Sequence, residues 1–126
     1  MIFGIGTDIV RVERMQNNLQ RYGDRFAERI LTISEFADFQ RAGEPAHFLA
    51  KRFAAKEATV KAMGTGFASG IRLKQISVGH DERGKPLLEF SGAAKEFLDQ
   101  HKINTTHISI ADEQDHAVAF VTLSIG

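Results

Sequence analysis

Apolar side chains recur along the chain either at alternate positions or every three to four residues, and switches between the two periods mark its elements. Ile2–Val10 reads as a buried strand, Val12–Tyr22 as a short and strongly polar helix, and Asp24–Leu31 as a second helical stretch. A third helix opens on a capping box, with Thr32 and Glu35 at S/T-x-x-E spacing. Pro45 suits the first turn of a longer helix running to Met63, with Gly64 as its C-terminal cap. Gly64–Gly70 holds three glycines in seven residues and predicts a loop. Ile71–Val78 predicts a strand. Its apolar parity changes between Ile71/Leu73 and Ile76/Val78, so a bulge or bend is expected near Lys74 and Gln75. Asp81–Pro86 predicts a hairpin turn into Leu87–Phe90, and Ala93–His101 a helix. Thr105–Ala111 and Ala117–Ile125 predict a second hairpin around Glu113–Asp115. Helices early and strands late give an α+β domain, with helices packed on one side of a mostly antiparallel sheet. One compact domain is expected over residues 1–126.

With 126 residues, 43% of them hydrophobic, the chain can bury a core without staples. It has no cysteine, which excludes disulfides and thiolate-ligated metal sites. No apolar run approaches the ~20 residues of a membrane span, and Met1-Ile2-Phe3 lacks the basic start of a secretory leader. A soluble cytoplasmic protein with no membrane span is expected. Sixteen basic side chains balance sixteen acidic ones, which argues against a nucleic-acid partner. That balance hides a gradient: residues 1–74 carry twelve basic and eight acidic groups, and residues 75–126 carry four and eight.

Two places carry candidate chemistry. Along the first strand Gly4, Gly6 and Asp8 share one face, and paired glycines suit a site where a ligand or another backbone comes close. Asp8 is then either the N-cap of the following helix or a site residue. In the long helix Leu49, Phe53 and Val60 form a core-facing stripe, while Ala46, Ala50, Ala54, Ala58 and Ala62 form a flank of minimal bulk. Glu57 and Lys61 project from that flank, and Lys56 lies near the other edge of the stripe. These charges are either ordinary surface pairs or, with the glycine-rich loop behind them, a holder for a metal–phosphate ligand. No G-x-x-x-x-G-K-[ST] motif is present, which excludes a P-loop nucleotidase.

The segments GIGTDIVRVER and RFAAKEATVKAMGTG resemble the two-part signature of the holo-acyl-carrier-protein synthase family, the small single-domain 4'-phosphopantetheinyl transferases. The matching positions are Gly6, Asp8, Ile9 and Arg14, then Phe53, Ala54, Lys56, Glu57, Ala58, Lys61 and Ala62. The likeness continues through Arg25–Thr32, Gly84–Pro86 and His107–Asp112. It implies a phosphopantetheinyl transferase-like fold and a role in fatty acid biosynthesis: transfer of 4'-phosphopantetheine from coenzyme A to a serine of an acyl carrier protein. Asp8 and Glu57 would be the Mg²⁺ carboxylates, and Lys61 would meet the pyrophosphate and the charge on the leaving group. Lys56, Gly64, Gly66 and Lys85 would line the coenzyme A site. Glu57 is the first candidate to accept the serine proton and His107 the second. The strand after His107 reads Ile110-Ala111-Asp112 where many members carry another histidine. Acidic carrier proteins would dock on Arg14, Arg21, Arg25 and Phe26, with Met15 and Ile30 nearby, and a homotrimer is implied. Two other readings are compatible with the residues: a non-catalytic module binding an acidic partner through Arg14–Arg29, and another Mg²⁺-dependent nucleotide enzyme.

Overall fold

The computed structural model describes residues 1–126. Strand β1 (Ile2–Arg11) leads into helices α1 (Val12–Tyr22), α2 (Asp24–Ile30), α3 (Ile33–Gln40) and α4 (Pro45–Met63). A 3-10 turn at Leu73–Gln75 precedes the hairpin β2 (Ile76–His80) and β3 (Pro86–Phe90). Helix α5 (Gly92–Gln100) and a second hairpin, β4 (Thr105–Asp112) and β5 (His116–Ser124), complete the chain. The strands form two antiparallel sheets, β1-β5-β4 and β2-β3, rather than one.

Helix α4 is the axle of the fold. Pro45 occupies its first turn and Gly64 closes it in the left-handed conformation with φ 78°, as the sequence predicts. The alanine flank turns out to be the seat of β1. Ala54 and Ala58 are fully buried, and a Cβ added at Gly4 or Gly6 would run into the carbonyl oxygens of Ala62 and Ala58. The backbone that needs the glycines is therefore α4 itself, not a ligand. Gly6 pairs with Val121 and Val10 with Ala117. The inward face of the three-stranded sheet thus joins α4 over Ala119, Val121, Leu123 and Ile108 in the main apolar core.

Two boundaries differ from the sequence reading. The expected strand Ile71–Val78 begins only at Ile76, because side chains claim the backbone before it. The Gln75 carboxamide takes the Arg72 N–H and donates to Gly70 O, and Lys56 donates to Leu73 O. The parity change at Lys74-Gln75 is thus a 3-10 turn and not a bulge within a strand. Strand β1 runs past Asp8 to Arg11, and Arg11 occupies the N-cap position of α1, so Asp8 caps no helix.

Candidate active site

Because side chains alternate along β1, Asp8 points to the same face as Gly4 and Gly6, toward α4. One helical turn separates Glu57 from Lys61, so both meet the Asp8 end of the strand. Lys61 Nζ donates to Asp8 Oδ1 at 3.0 Å and to Thr7 O at 3.1 Å. Half-buried Glu57 lies in the field of Asp8, Lys61 and Arg14. Burial first, and the neighbouring Asp8 carboxylate second, push the Glu57 carboxyl above its ordinary range, while Lys61 and Arg14 partly offset this. Two carboxylates are thus held side by side with only partial neutralisation, at a position reached by one lysine and one arginine.

The glycine loop leaves α4 directly behind Lys61. Its first three amides, Gly64, Thr65 and Gly66, turn back onto Val60 O. Gly66, Ser69 and Gly70 all have positive φ. The amides of Phe67, Ala68, Ser69 and Gly70 donate to no acceptor within the chain. Four consecutive N–H groups of this loop are thus free for an acceptor from outside the chain.

The sequence pattern of the 4'-phosphopantetheinyl transferase superfamily matches residues 4–121 of this chain. The chain belongs to that superfamily. It is 57% identical over 123 residues to a holo-[acyl-carrier-protein] synthase of Nitrosococcus oceani, covering 98% of this chain and 80% of the relative. Its fold is similar to the crystal structure of holo-[acyl-carrier-protein] synthase from Neisseria meningitidis, with TM-score 0.93, 44% identity, and 98% and 99% of the two chains covered. A holo-(acyl-carrier-protein) synthase from Bacillus anthracis in complex with CoA (3',5'-ADP) superposes with TM-score 0.83 at 38% identity, covering 100% of this chain and 99% of that one.

Not every residue expected at the transferase site arrives there. Lys56 is fully buried, with its ammonium 2.7 Å from Glu35 Oε1. It cannot contact coenzyme A, because the α4 face it occupies is turned into the core. His107 is opposite Thr122, which itself pairs with Ile5, so it lies on the outer face of the sheet, away from α4. Within one chain His107 therefore does not join Asp8 and Glu57, and the strand register is the reason. Lys85 sits in the β2–β3 turn. Gly84 and Pro86 of that turn line a small cleft with Phe48, Lys51 and Arg52, and Lys51 precedes Lys61 by ten residues of helix. At the rise of an α-helix that places the turn about 15 Å along α4 from Lys61 and about 9 Å from Glu57, which follows Lys51 by six residues.

On the expected docking helices, Arg14, Arg21 and Arg25 are exposed and Phe26 is half-buried. Met15 and Ile30 are only 1% and 3% exposed, so they belong to the core and are not free anchors. Arg14 rests its guanidinium over the Phe53 ring at 5.3 Å and acts on Glu57, so the expected docking helix reaches the carboxylate cluster. The sequence reading missed two groups. Glu35 is legible there only as a capping-box residue, yet its second oxygen accepts the Val78 N–H. Buried Arg52 stacks on Phe48 and donates to Val78 O.

Proposed function

We propose that this chain transfers 4'-phosphopantetheine from coenzyme A to a serine of an apo acyl carrier protein at the Asp8–Glu57–Lys61 cluster, releasing 3',5'-adenosine bisphosphate. The observation that carries the reading is the pair of adjacent carboxylates, one on β1 and one on α4, beside a lysine whose helix runs on into a loop of free amides. A purely structural Glu57–Lys61 helix pair would need neither Asp8 nor the loop.

In the reaction the serine Oγ forms a bond to the β-phosphorus while the bond from that phosphorus to the bridging oxygen breaks. Glu57, the α4 carboxylate of the cluster, takes the serine proton. Lys61 lies where its ammonium can face the negative charge on the departing bisphosphate. The amides of Phe67–Gly70, which have no acceptor within the chain, bind phosphate oxygens.

The donor set fits Mg²⁺. Asp8 and Glu57 are hard oxygen ligands, they are mutually repulsive without a cation, and no third acidic or histidine side chain completes a protein cage. Mg²⁺ is commonly held by one or two carboxylates together with substrate phosphates and water. When bound, the ion supplies charge neutralisation for the pyrophosphate. The enzyme would work in the cytoplasm, since no helix is long and apolar enough to cross a membrane and coenzyme A and carrier proteins are soluble.

Homotrimer formation belongs to the same reading. Ile5, Ile9, Val118 and Phe120 share the outer face of the β1-β5-β4 sheet and are 59%, 63%, 37% and 45% exposed. A contiguous apolar strip on a sheet face is a contact surface. The large clefts, of about 570 and 500 Å³, are lined by neither Asp8, Glu57 nor Lys61, so one chain supplies only part of a wall around the site. A second copy would add the missing wall, and His107 and Lys85 are exposed for that purpose. Phe120→Asp is expected to convert the trimer to monomer in sedimentation velocity and to abolish transfer together with it. A trimer that survives the substitution rejects this face as the contact.

The transfer itself is tested by incubating the protein with Mg²⁺, coenzyme A and an apo carrier protein and weighing the carrier by mass spectrometry. Gain of one phosphopantetheine is expected, and an unchanged mass refutes the assignment. Docking is separable from chemistry at Arg21, which stacks on Tyr22 and does not contribute to the field at Glu57. Arg21→Glu should raise KM for the carrier about tenfold or more, since it replaces attraction with repulsion. KM for coenzyme A should stay within about threefold, and added salt should narrow the gap. Equal changes in both constants would move the docking surface elsewhere.

A further inference from the structure

Lys56 immediately precedes Glu57 in the signature helix yet turns into the core, where it is fully buried. Its ammonium has three acceptors: Ile30 O and Glu35 Oε1, each at 2.7 Å, and Leu73 O at 3.1 Å. An ammonium carries three protons, so every donor is committed. Glu35 is equally occupied. Oε1 also accepts Thr32 N at 3.0 Å, and Oε2 accepts Val78 N at 2.9 Å. The pair thereby ties α4 to the end of α2, the start of α3, strand β2 and the 3-10 turn that follows the glycine loop.

These segments depend on the pair unequally. Ile30 is 3% exposed within the main apolar core, α3 has its own capping contact from Thr32, and β2 is laddered to β3. Residues 67–72 have no ladder. Four of their amides are unpaired, and the segment returns to the body of the protein through buried Ile71, the partly buried Leu73 side chain, the Gln75 carboxamide and the Lys56 hold on Leu73 O. The other end of the loop is fixed to Val60 O, at the last turn of the helix that carries Lys56. One helix therefore grips both ends of the phosphate loop and presents Glu57 and Lys61 beside it.

We propose that the Lys56–Glu35 pair is a positioning device for the glycine loop: by holding Leu73 O, Lys56 keeps the free amides of Phe67–Gly70 set for the phosphates of coenzyme A. This rests on the coenzyme A reading above and deepens it. The first lysine of the signature acts on the ligand through the loop, and the second acts by contact. A loop held in its binding shape loses less freedom on binding, so release of the hold appears as weaker ligand affinity.

The test compares wild type with Lys56→Met and with the milder Glu35→Gln, each first shown to be folded by circular dichroism. Titration calorimetry with coenzyme A in Mg²⁺ buffer, without carrier, should give a Kd raised about tenfold in Lys56→Met and less in Glu35→Gln, as expected for lost preorganisation. KM for coenzyme A should follow Kd, with KM for the carrier and kcat within about threefold. Hydrogen exchange should quicken at Ile71–Ile76 while the β1–β5 ladder keeps its protection. A lowered melting temperature with unchanged Kd, and no selective exchange at Ile71–Ile76, would overturn the proposal. Collapse of both variants would do the same, by making the pair a support of the whole core. Should wild type itself bind no coenzyme A, the functional assignment fails instead, and the exchange pattern still decides whether the pair holds the loop.

Discussion

Asp8→Asn and Glu57→Gln should each reduce the rate of carrier modification by about 100-fold or more, the scale on which a preorganised charge contributes to a transition state. Both replacements keep shape and hydrogen-bonding reach while removing one negative charge from the cluster. Lys61 Nζ still finds Thr7 O, and an asparagine oxygen can replace Asp8 Oδ1, so the β1–α4 seam is unaltered. The folded protein should therefore survive. Its melting behaviour separates the chemical role from a structural one. Burial and Asp8 raise the Glu57 carboxyl above its ordinary value of 4.5 in the folded chain. Between that value and the raised one, the native state binds more protons than the unfolded chain, so stability falls as pH rises through the window. Above it the full loss persists. In metal-free protein Glu57→Gln removes this loss, so at neutral pH it should melt at the wild-type temperature or above. Melting well below wild type would mark Glu57 as a structural group and undo the site.

The second large effect is on folding. Gly6→Ala is expected to destabilise the chain by about 3 kcal/mol or more, at the upper end of overpacking costs. An added Cβ would overlap Ala58 O and lie 2.7 Å from Ala62 N, and both are backbone atoms of a buried helix. No side chain can rotate out of the way, so β1 or α4 must shift, and the seam that joins Asp8 to Glu57 shifts with them. Gly43→Ala is the control, because nothing lies within 4 Å of its added Cβ. It should change stability by no more than about 0.5 kcal/mol. Thermal unfolding of the two variants decides the matter, and equal melting temperatures would show that the close approach does not constrain the fold.

Much of this molecule is written locally. The Thr32–Glu35 box, Pro45 in the first turn of α4, the Gly64 cap and the two late hairpins all depend on contacts a few residues apart, so they are legible from the chain. The failures have one cause. At Ile71–Gln75 the apolar pattern favours a strand, but the Arg72 N–H is taken by the Gln75 carboxamide oxygen and the Leu73 carbonyl by Lys56, which lies seventeen residues from Leu73. Periodicity gives no sign of a distant donor.

The site divides in the same way. The order and spacing of Asp8, Glu57 and Lys61 follow from alternation on a strand and one turn of helix, so sequence alone determined which groups share a face, and the family signature pointed to the chemistry proposed for them. Only the tertiary structure decided that the glycine faces meet a helix backbone, that Lys56 turns inward to Glu35, and that His107 and Lys85 stand apart from the carboxylates in a single chain. Helical phase places Lys56 at the edge of the apolar stripe, and an edge position is compatible with solvent or core. What settles it is whether other elements bring a carboxylate and two carbonyls to meet the charge, since a buried ammonium is stable only when all its donors are taken.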